Sequence, residues 1–258
     1  MKEKTVTLPR TPSFRLDGRR ALVAGASSGI GLGCAVALAE QGAHVVCAAR
    51  GAERLAEVVA EMTAAGFSAE AMVLDIADVP AMEAALGGQV FDVVVNSAGL
   101  ARHSPAVETT TADYDMVMGV NVRGAYFLSA ITAKAMIAAG TKGSIIHISS
   151  QMGHVGGIDR AVYCASKHAL EGMVKSMAIE WGPHQIRVNT LGPTFIRTPL
   201  AEQTLAIPER RAWIEGMIKL GRVGEIEDIM GAVAYLASDA SALVTGSAHL
   251  VDGGWTAD

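Results

Sequence analysis

Short apolar segments alternate with segments of helical periodicity along almost the whole chain. The helical periodicity is clear at Leu170, Val174, Met177 and Trp181, after which the apolar pattern ends at Gly182. This alternation predicts parallel strand pairing, and nearly continuous apolar strands predict helices on both faces of the sheet. The segments that predict strands are RALVAG, AHVVCAA, AEAMVLDI, FDVVVN, GSIIHIS, IRVNTL and AHLVD. We therefore predict an α/β fold with a single-domain, Rossmann-like, doubly wound sheet of about seven parallel strands.

The chain is predicted to form one domain. Its 258 residues, half of them apolar, can bury one large core, and no linker or change of composition divides them. Two prolines disfavour regular structure near the start, so residues 1–15 are predicted to be a loosely ordered N-terminal arm. Residues 16–258 then form the folded domain. Within it, residues 194–221 are rich in Pro, Thr and charge, and we predict that they form a substrate lid.

Charge and cysteine usage narrow the range of partners. A net charge of -5 and a pI near 5.8 argue against nucleic acid. The sequence contains no apolar run of about 18 residues, and its N-terminus has charge and proline where a signal peptide needs apolar residues. Cys34, Cys47 and Cys164 are widely spaced among apolar residues, which predicts buried thiols of a reducing compartment. We therefore expect a cytoplasmic protein with no metal, no membrane and no nucleic acid among its partners.

A glycine-rich segment follows the first predicted strand and opens a predicted helix from about Ile30 to Gln41. Glycine allows a tight turn and close backbone approach, and a helix N-terminus offers unpaired N–H groups and partial positive charge to a pyrophosphate. The alternative is a turn that serves only strand-to-helix packing, but the strand before and the helix after favour a dinucleotide. The candidate cofactor-binding residues in this segment are Gly25, Ser27, Ser28, Gly29, Ile30 and Gly31.

The end of the second predicted strand indicates which dinucleotide is bound. NAD-binding folds commonly present a carboxylate there to the ribose 2'-hydroxyl, but this strand ends with Ala49 and then Arg50. Arginine can hold a 2'-phosphate through a charge-assisted pair of hydrogen bonds. We therefore predict a preference for NADP(H), with NAD(H) still possible. The alternative is that Arg50 is an exposed residue at the start of the next helix.

Tyr163 and Lys167 stand four residues apart in a predicted helix and therefore share one face of it. A phenol has a pKa near 10, and lowering it by about three units requires roughly 4 kcal/mol of phenolate stabilisation, much of which a nearby ammonium can supply. Ser150 ends a strand thirteen residues earlier, where its hydroxyl can donate to a substrate oxygen as charge develops. This set predicts proton transfer coupled to hydride transfer by the dinucleotide.

The glycine segment and the pattern S-(12 residues)-Y-x-x-x-K together resemble the classical short-chain dehydrogenase/reductase family over approximately residues 16–254. The resemblance implies a catalytic set of Asn121, Ser150, Tyr163 and Lys167, in which Asn121 helps to hold water for a proton relay toward the lysine. It also implies further contacts to the cofactor from Asp75, Ile76, Asn96, Ala98, Gly99, Tyr163, Lys167, Pro193, Ile196 and Thr198.

This sequence departs from the family pattern at several positions. Ala24 replaces a usual threonine, Ser97 is inserted into the N-A-G segment, and Thr194 replaces a usual glycine. Ser28 also stands where many NADP-preferring relatives carry a cation. For Asp75, capping of the next helix is the alternative to a cofactor contact.

The family resemblance implies an enzyme that interconverts a secondary alcohol and a ketone, on a polyol, a sugar acid or a small cyclic alcohol, as a homotetramer. Gln151, His103 and His154 are the candidate substrate contacts, although structural roles are the alternative for both histidines. A 3-oxoacyl thioester reductase is the alternative within the same chemistry. A catalytically idle dinucleotide-binding regulator is the alternative from another class of protein.

Overall fold

A computed structural model describes residues 8–257 of the chain, and the predicted parallel sheet is confirmed within them. Its strands are paired in parallel throughout, in the order β3-β2-β1-β4-β5-β6-β7. The chain reverses its winding between β1 and β4, which creates a crevice at the carboxyl ends of these strands. The strands are β1 (Arg20–Ala24), β2 (His44–Ala49), β3 (Ala69–Val73), β4 (Val93–Asn96), β5 (Gly143–Ile148), β6 (Ile186–Pro193) and β7 (Ala248–Val251).

Helices connect the strands and cover both faces of the sheet. They are α1 (Gly29–Glu40), α2 (Ala52–Ala64), α3 (Val79–Leu86), α4 (Thr111–Met118), α5 (Ala125–Ala139), α6 (Ala161–Trp181), α7 (Pro199–Leu205), α8 (Pro208–Met217) and α9 (Glu227–Ala237). A π-helical segment, Gly119–Gly124, joins α4 to α5. Several helices begin at side-chain caps, such as Asp78 before α3 and Thr110 before α4.

The core has two layers because successive side chains of a strand point to opposite faces of the sheet. In β4, Val93 and Val95 pack with α1, α2 and α9, whereas Val94 packs with α3, α5 and α6. All three valines are fully buried, as the apolar runs predict for parallel strands covered on both sides.

The predicted N-terminal arm lies partly outside the described residues, since its first seven residues are not described. Residues 8–14 have no regular secondary structure and are exposed, although Phe14 packs 6.3 Å from Tyr235 between ring centroids. Leu16 is fully buried, and its N–H donates to the carbonyl of Gln41. The core therefore begins at Leu16.

The segment 194–221 carries α7 and α8. Its apolar side chains, including Leu205 and Ile214, form a small cluster of their own with Val223 and Trp255. The Trp255 ring stacks on Phe195 with 5.9 Å between centroids and meets Trp213 edge-on at 5.5 Å. This separate packing leaves the segment few ties to the main core, and its role as a lid stays a prediction.

Candidate active site

A cavity of about 820 Å³ opens at the carboxyl edge of the sheet, where the chain reverses its winding. Most of the predicted cofactor residues line this cavity, although they come from several separate parts of the chain. Those on its wall are Gly25, Ser27, Ser28, Gly29, Ile30, Gly31, Arg50, Asp75, Ile76, Ala98, Gly99, Tyr163, Lys167, Pro193 and Thr198. Of the predicted catalytic residues, Ser150, Tyr163 and Lys167 lie on the wall and Asn121 does not.

The glycine segment turns tightly from β1 into α1. Gly25 has φ of 85°, and a Cβ atom on it would lie 2.8 Å from the Ala98 nitrogen. A Cβ atom on Gly31 would collide with the carbonyl oxygen of Gly25. Ser28 occupies the N-cap of α1 without a side-chain cap hydrogen bond, so the first N–H groups of this helix have no capping partner. These amides border the cavity and suit an anionic group such as a pyrophosphate.

Thr194 provides a second sign that the cavity fits a dinucleotide. Its Oγ1 is buried and has no hydrogen-bond partner among the described residues, and the residue lines the cavity beside Pro193. A buried hydroxyl without a partner is costly, so this position is suited to a polar group of a bound molecule. In the sequence Thr194 was notable only as a departure from the family pattern.

The opposite end of the cavity carries Arg50 and Asp75. Arg50 is exposed and makes no hydrogen bond or ion pair within the part of the chain that the structure describes. Asp75 accepts a hydrogen bond from the Ala77 N–H at 2.9 Å, whereas α3 is capped by Asp78, which accepts from the Ala81 N–H at 3.1 Å. The alternative role of Asp75 as a helix cap is therefore wrong.

Tyr163 and Lys167 both reach the cavity from the first turns of α6. The Lys167 Nζ lies 5.6 Å from the centroid of the Tyr163 ring and donates a hydrogen bond of 2.9 Å to the Ile148 carbonyl. Lys167 is buried, and burial lowers its pKa to about 8 although the carboxylate of Glu171 opposes the change. The Lys167 ammonium is thus fixed beside the phenol, and its pKa of about 8 lies near neutral pH.

The protein's own groups do not produce the expected acidic phenol. Burial raises the pKa of Tyr163 above its usual value, while a hydrogen bond with Ser150 and the positive charge of Arg160 act in the opposite direction. Desolvation of the phenolate is the largest effect among these groups, and the supply of much of the lowering by Lys167 stays a prediction. Arg160, which was not among the predicted residues, contributes to the field at the phenol.

Ser150 lies at the end of β5 with its hydroxyl in the cavity wall. Its Oγ donates to Gln151 Oε1 at 2.7 Å and accepts from the Met152 N–H at 3.1 Å. Gln151 is buried and does not line the cavity, so it contacts Ser150 instead of the space for a substrate. The contact that the structure shows for Gln151 is with Ser150, and a direct contact with the substrate stays a prediction.

Asn121 lies in the π-helical segment, buried and off the cavity wall. Its Oδ1 accepts from the Leu100 N–H at 2.9 Å, and its Nδ2 donates to the Leu100 carbonyl at 2.9 Å and to Ser166 Oγ at 3.1 Å. These bonds occupy the side chain, so the predicted hold on a water would rest on the local carbonyl of Asn121, and that role stays a prediction. The side chain of Asn121 fastens the segment after β4, which borders the cavity, to α6.

Two predicted cofactor contacts are also corrected. Asn96 is buried beneath the cavity wall, where its Oδ1 accepts from the Ala98 N–H at 3.2 Å and its Nδ2 lies 3.3 Å from His147 Nδ1. Ile196 is buried in the core and pairs through its main chain with Gly224. Both residues hold the wall from behind, since neither side chain reaches the cavity.

Neither predicted histidine lines the cavity. His154 points to Glu171, with 3.6 Å between Nε2 and Oε1. The Nε2 of His103 lies 2.8 Å from Nη1 of Arg160, as hydrogen-bond partners. Sequence reasoning missed Arg160, although it is the one basic residue between Lys142 and Lys167 and stands three residues before Tyr163.

Neither a membrane span nor a metal site is indicated by the described residues. No helix within residues 8–257 combines the length and apolarity that a bilayer crossing requires. The same residues contain no group of three or more His, Cys, Asp or Glu side chains placed to hold a metal ion.

The fold and the cavity define a dinucleotide-binding α/β protein, and comparisons with known proteins specify its family. The model of the family described as "Enoyl-(Acyl carrier protein) reductase" matches residues 25–256. L-xylulose reductase of Bos taurus is 41% identical over 245 residues, covering 95% of this chain and 99% of that protein. Gluconate 5-dehydrogenase of Gluconobacter oxydans is 37% identical over 250 residues, covering 94% and 96%.

A solved structure gives the same result. The crystal structure of a gluconate 5-dehydrogenase from Burkholderia cenocepacia in complex with NADP and tartrate superposes with a TM-score of 0.92. It is 34% identical in sequence and covers 95% of this chain and 98% of its own. The chain belongs to the short-chain dehydrogenase/reductase family.

Proposed function

We propose that this chain is an NADP(H)-dependent oxidoreductase that interconverts a secondary alcohol and a ketone in a small polyhydroxylated substrate, a polyol or a sugar acid. The observation that carries the proposal is the meeting of Ser150, Tyr163 and Lys167 on one cavity wall with the glycine segment before α1. The similar proteins named L-xylulose reductase and gluconate 5-dehydrogenase support this substrate class.

Each residue of the proposed catalytic set has a defined task. When bound, NADP(H) supplies or accepts a hydride at the substrate carbon. The Tyr163 hydroxyl gives a proton to the substrate oxygen during reduction and takes it back during oxidation. The Lys167 ammonium, held by the Ile148 carbonyl, stabilises the phenolate. The Ser150 hydroxyl exchanges its bond to Gln151 for one to the substrate oxygen, to which it donates as negative charge develops.

The amide-rich start of α1 and the free guanidinium of Arg50 support NADP(H) as the preferred cofactor. The α1 amides border the cavity and suit the pyrophosphate, and Arg50, which follows β2 on the cavity wall, suits a 2'-phosphate. Buried Ala49 brings no carboxylate that would repel this group. A similar protein, the gluconate 5-dehydrogenase from Burkholderia cenocepacia, is bound to NADP in its crystal structure.

We further propose a homotetramer located in the cytoplasm. Exposed apolar side chains on α4 and α5 support the assembly, since they form surface that a neighbouring subunit can cover. They are Tyr114, Met116, Tyr126 and Phe127. Three buried cysteines with free thiols support a reducing compartment. Light scattering of the purified protein measures the mass of the assembly directly.

The alternative thioester reductase gains no support from the surface arginines. An acidic carrier protein requires a basic docking patch. Arg102 lies 3.6 Å from the carboxylate of Asp113, and Arg123 donates to the Ala77 carbonyl at 3.4 Å. Both are already engaged, so they do not form a free cationic surface.

The proposed function is tested by assay of the purified protein with panels of polyols, sugar acids, ketoses and cyclic alcohols, each with NADP(H) and NAD(H). Reduced nicotinamide absorbance follows the reaction in both directions. We expect turnover of polyhydroxylated substrates with NADP(H). Absence of turnover throughout, with tight NADP binding by fluorescence, would identify the idle dinucleotide-binding protein instead.

A further inference from the structure

Arg160 is a half-buried arginine at the N-terminus of α6, immediately before the turn that carries Tyr163. Its side chain is confined on several sides. Its Cδ lies 3.0 Å from the position of a Cβ on Gly157, and its guanidinium lies 5.5 Å from the centroid of the Phe195 ring. The bond between Nη1 and Nε2 of His103 fixes the plane of the guanidinium. This arginine is therefore held in place before any ligand binds.

The loop that carries His103 is tied to the same turn. The Ser104 N–H donates to the carbonyl of Asp159 at 3.1 Å. Asp159 adopts a left-handed backbone conformation with φ of 58°, which is unfavourable for a residue other than glycine and is maintained only by its surroundings. Two separate contacts thus join the turn before α6 to the loop after β4.

No carboxylate neutralises Arg160. Among the described residues it has no ion pair; burial lowers its pKa, and Tyr163, Cys164 and Asp159 act in the opposite direction. The second cation Arg210, from α8, lowers the pKa of both Arg160 and His103. Partial desolvation lowers the pKa of the exposed His103 ring, and since a guanidinium can only donate, Nε2 is the acceptor in this bond. A half-buried cation with another cation nearby has unused capacity for an anion.

Arg160 is the N-cap residue of α6, three positions before Tyr163, and its positive charge acts to lower the pKa of the Tyr163 phenol. The amides of α1 and the guanidinium of Arg50, which suit the phosphates of the dinucleotide, line a different part of the cavity wall. Arg160 does not line that wall. Arg160 thus lies apart from the groups that suit the phosphates and three residues before Tyr163 on α6, so an anion bound to it fits the substrate and not the dinucleotide.

We propose that Arg160, positioned by His103, binds a carboxylate of the substrate, so that the substrate class is a sugar acid or similar hydroxy acid and not a neutral polyol. The proposal rests on the proposed function and narrows it. One N–H of the guanidinium is used by His103, and the others are free to bind the two carboxylate oxygens through charge-assisted hydrogen bonds. Because this carboxylate does not change during the reaction, the contact acts on KM more than on kcat.

The test compares substrates that differ only in this group. D-gluconate and D-glucitol, and a four-carbon pair of threonate and threitol, are assayed with the intact enzyme and NADP. We expect kcat/KM to favour the acids by at least about tenfold, and Arg160→Met to lower kcat/KM for the acids by roughly 100-fold through KM. For the polyols the same substitution lowers kcat/KM much less, because there it acts only through the Tyr163 phenol, and Arg160→Lys restores part of the preference for the acids.

The ratio of kcat/KM for an acid to kcat/KM for the matching polyol separates recognition of the carboxylate from an effect on the Tyr163 phenol. An effect on the phenol changes both values alike, because both substrates use the same Tyr163. Arg211→Met is the matched control, since Arg211 on α8 pairs with Glu215 at 2.9 Å, and it leaves the ratio unchanged. Equal losses on acids and polyols in Arg160→Met, or a wild-type preference for polyols, would overturn the carboxylate site while the proposed function stands. Absence of turnover with every acid and every polyol would overturn both the carboxylate site and the proposed function.

A measurement on the wild-type enzyme removes dependence on a variant that fails to fold. D-gluconamide keeps the chain of hydroxyl groups and replaces the carboxylate with a neutral amide. We expect its KM to exceed that of D-gluconate by at least about tenfold. Equal KM values for the acid and the amide would contradict the proposal even if Arg160→Met is insoluble.

Discussion

The Nζ of Lys167 lies 5.6 Å from the centroid of the Tyr163 ring, one helical turn along α6. The same ammonium bonds the carbonyl of Ile148, the last residue of β5. Helix and strand are thereby fixed to each other at the point where Ser150 follows the strand. The spacing of Tyr163 and Lys167 in the sequence therefore corresponds to a fixed arrangement that α6 and β5 maintain together.

Replacement of Tyr163 with phenylalanine tests the proton-transfer role most directly. The substitution removes the hydroxyl and keeps the ring beside Lys167. We expect kcat/KM to fall by about 1000-fold, because general acid–base catalysis contributes on this scale, with the Kd for NADP within about threefold of wild type. Tyr126→Phe, on the exposed face of α5, is the control and keeps full activity. Retention of a tenth of the activity by Tyr163→Phe would assign the proton to another group.

A second prediction concerns Asn121 and its two bonds to the main chain of Leu100. Asn121→Ala leaves the partly buried N–H and carbonyl of Leu100 without these partners, which costs about 1–3 kcal/mol of the free energy of unfolding. Leu100 lines the cavity, so we also expect NADP to bind about tenfold more weakly. Denaturant titration and fluorescence measure the two effects.

Asn189 offers a matched control for that experiment. It is fully buried, donates to the Val244 carbonyl at 2.8 Å and accepts from the Ser247 N–H at 3.1 Å, away from the cavity wall. Asn189→Ala should lose similar stability with no change in NADP affinity. If both variants weaken NADP binding equally, the loss reflects general destabilisation and not the position of Asn121.

The fold could be predicted from sequence because its main signals are local. Parallel strands covered on both faces require continuous apolar runs, as in β4, and the spacing of Tyr163 and Lys167 places both on one helix face by geometry alone. The glycine segment is equally local, since Gly25 and Gly31 pack against each other within one turn.

The rest of the site depends on contacts between distant residues. Asn121 bonds Leu100, 21 positions away, and Arg160 bonds His103, 57 positions away, so neither partnership is visible in a local pattern. The direction of the Tyr163 pKa shift was also missed, because it depends on burial by the whole fold and not on the neighbouring lysine. Residue types and spacing were enough to identify candidate site residues. Their hydrogen-bond partners depend on how distant parts of the chain pack together.

Cofactor preference gives a third prediction. Arg50→Met removes the exposed guanidinium at the end of β2, and we expect kcat/KM for NADP to fall at least about tenfold while the value for NAD changes less than about threefold. Arg54→Met is the control, because Arg54 lies on α2 and pairs with Glu57 at 2.8 Å. An unchanged ratio of NADP to NAD in Arg50→Met would remove Arg50 from the 2'-phosphate site.

The last prediction concerns the charge state of Lys167 and the buried carboxylate of Glu171, one turn further along α6. Glu171 Oε2 accepts from Thr190 Oγ1 at 2.7 Å, while Oε1 has no hydrogen-bond partner among the described residues and lies 3.6 Å from His154 Nε2. The pKa of Lys167 is lowered to about 8 by burial and pushed upward by Glu171. Glu171 therefore helps to keep the ammonium protonated.

Glu171→Gln removes the carboxylate charge while an amide can still accept from Thr190. Without the upward influence of the Glu171 carboxylate the pKa of Lys167 falls further, so the alkaline limb of kcat/KM moves to lower pH and activity near pH 9 drops roughly fivefold relative to pH 6.5.

The free energy of unfolding provides a second measurement. The folded protein releases the Lys167 proton near pH 8 and the unfolded chain near its ordinary value of 10.5, so this group makes stability rise between those values. The rise should begin at lower pH in Glu171→Gln, whereas the exposed control Glu180→Gln on the same helix keeps the wild-type profile. A Glu171→Gln profile identical to wild type would show that the carboxylate does not act on the ammonium.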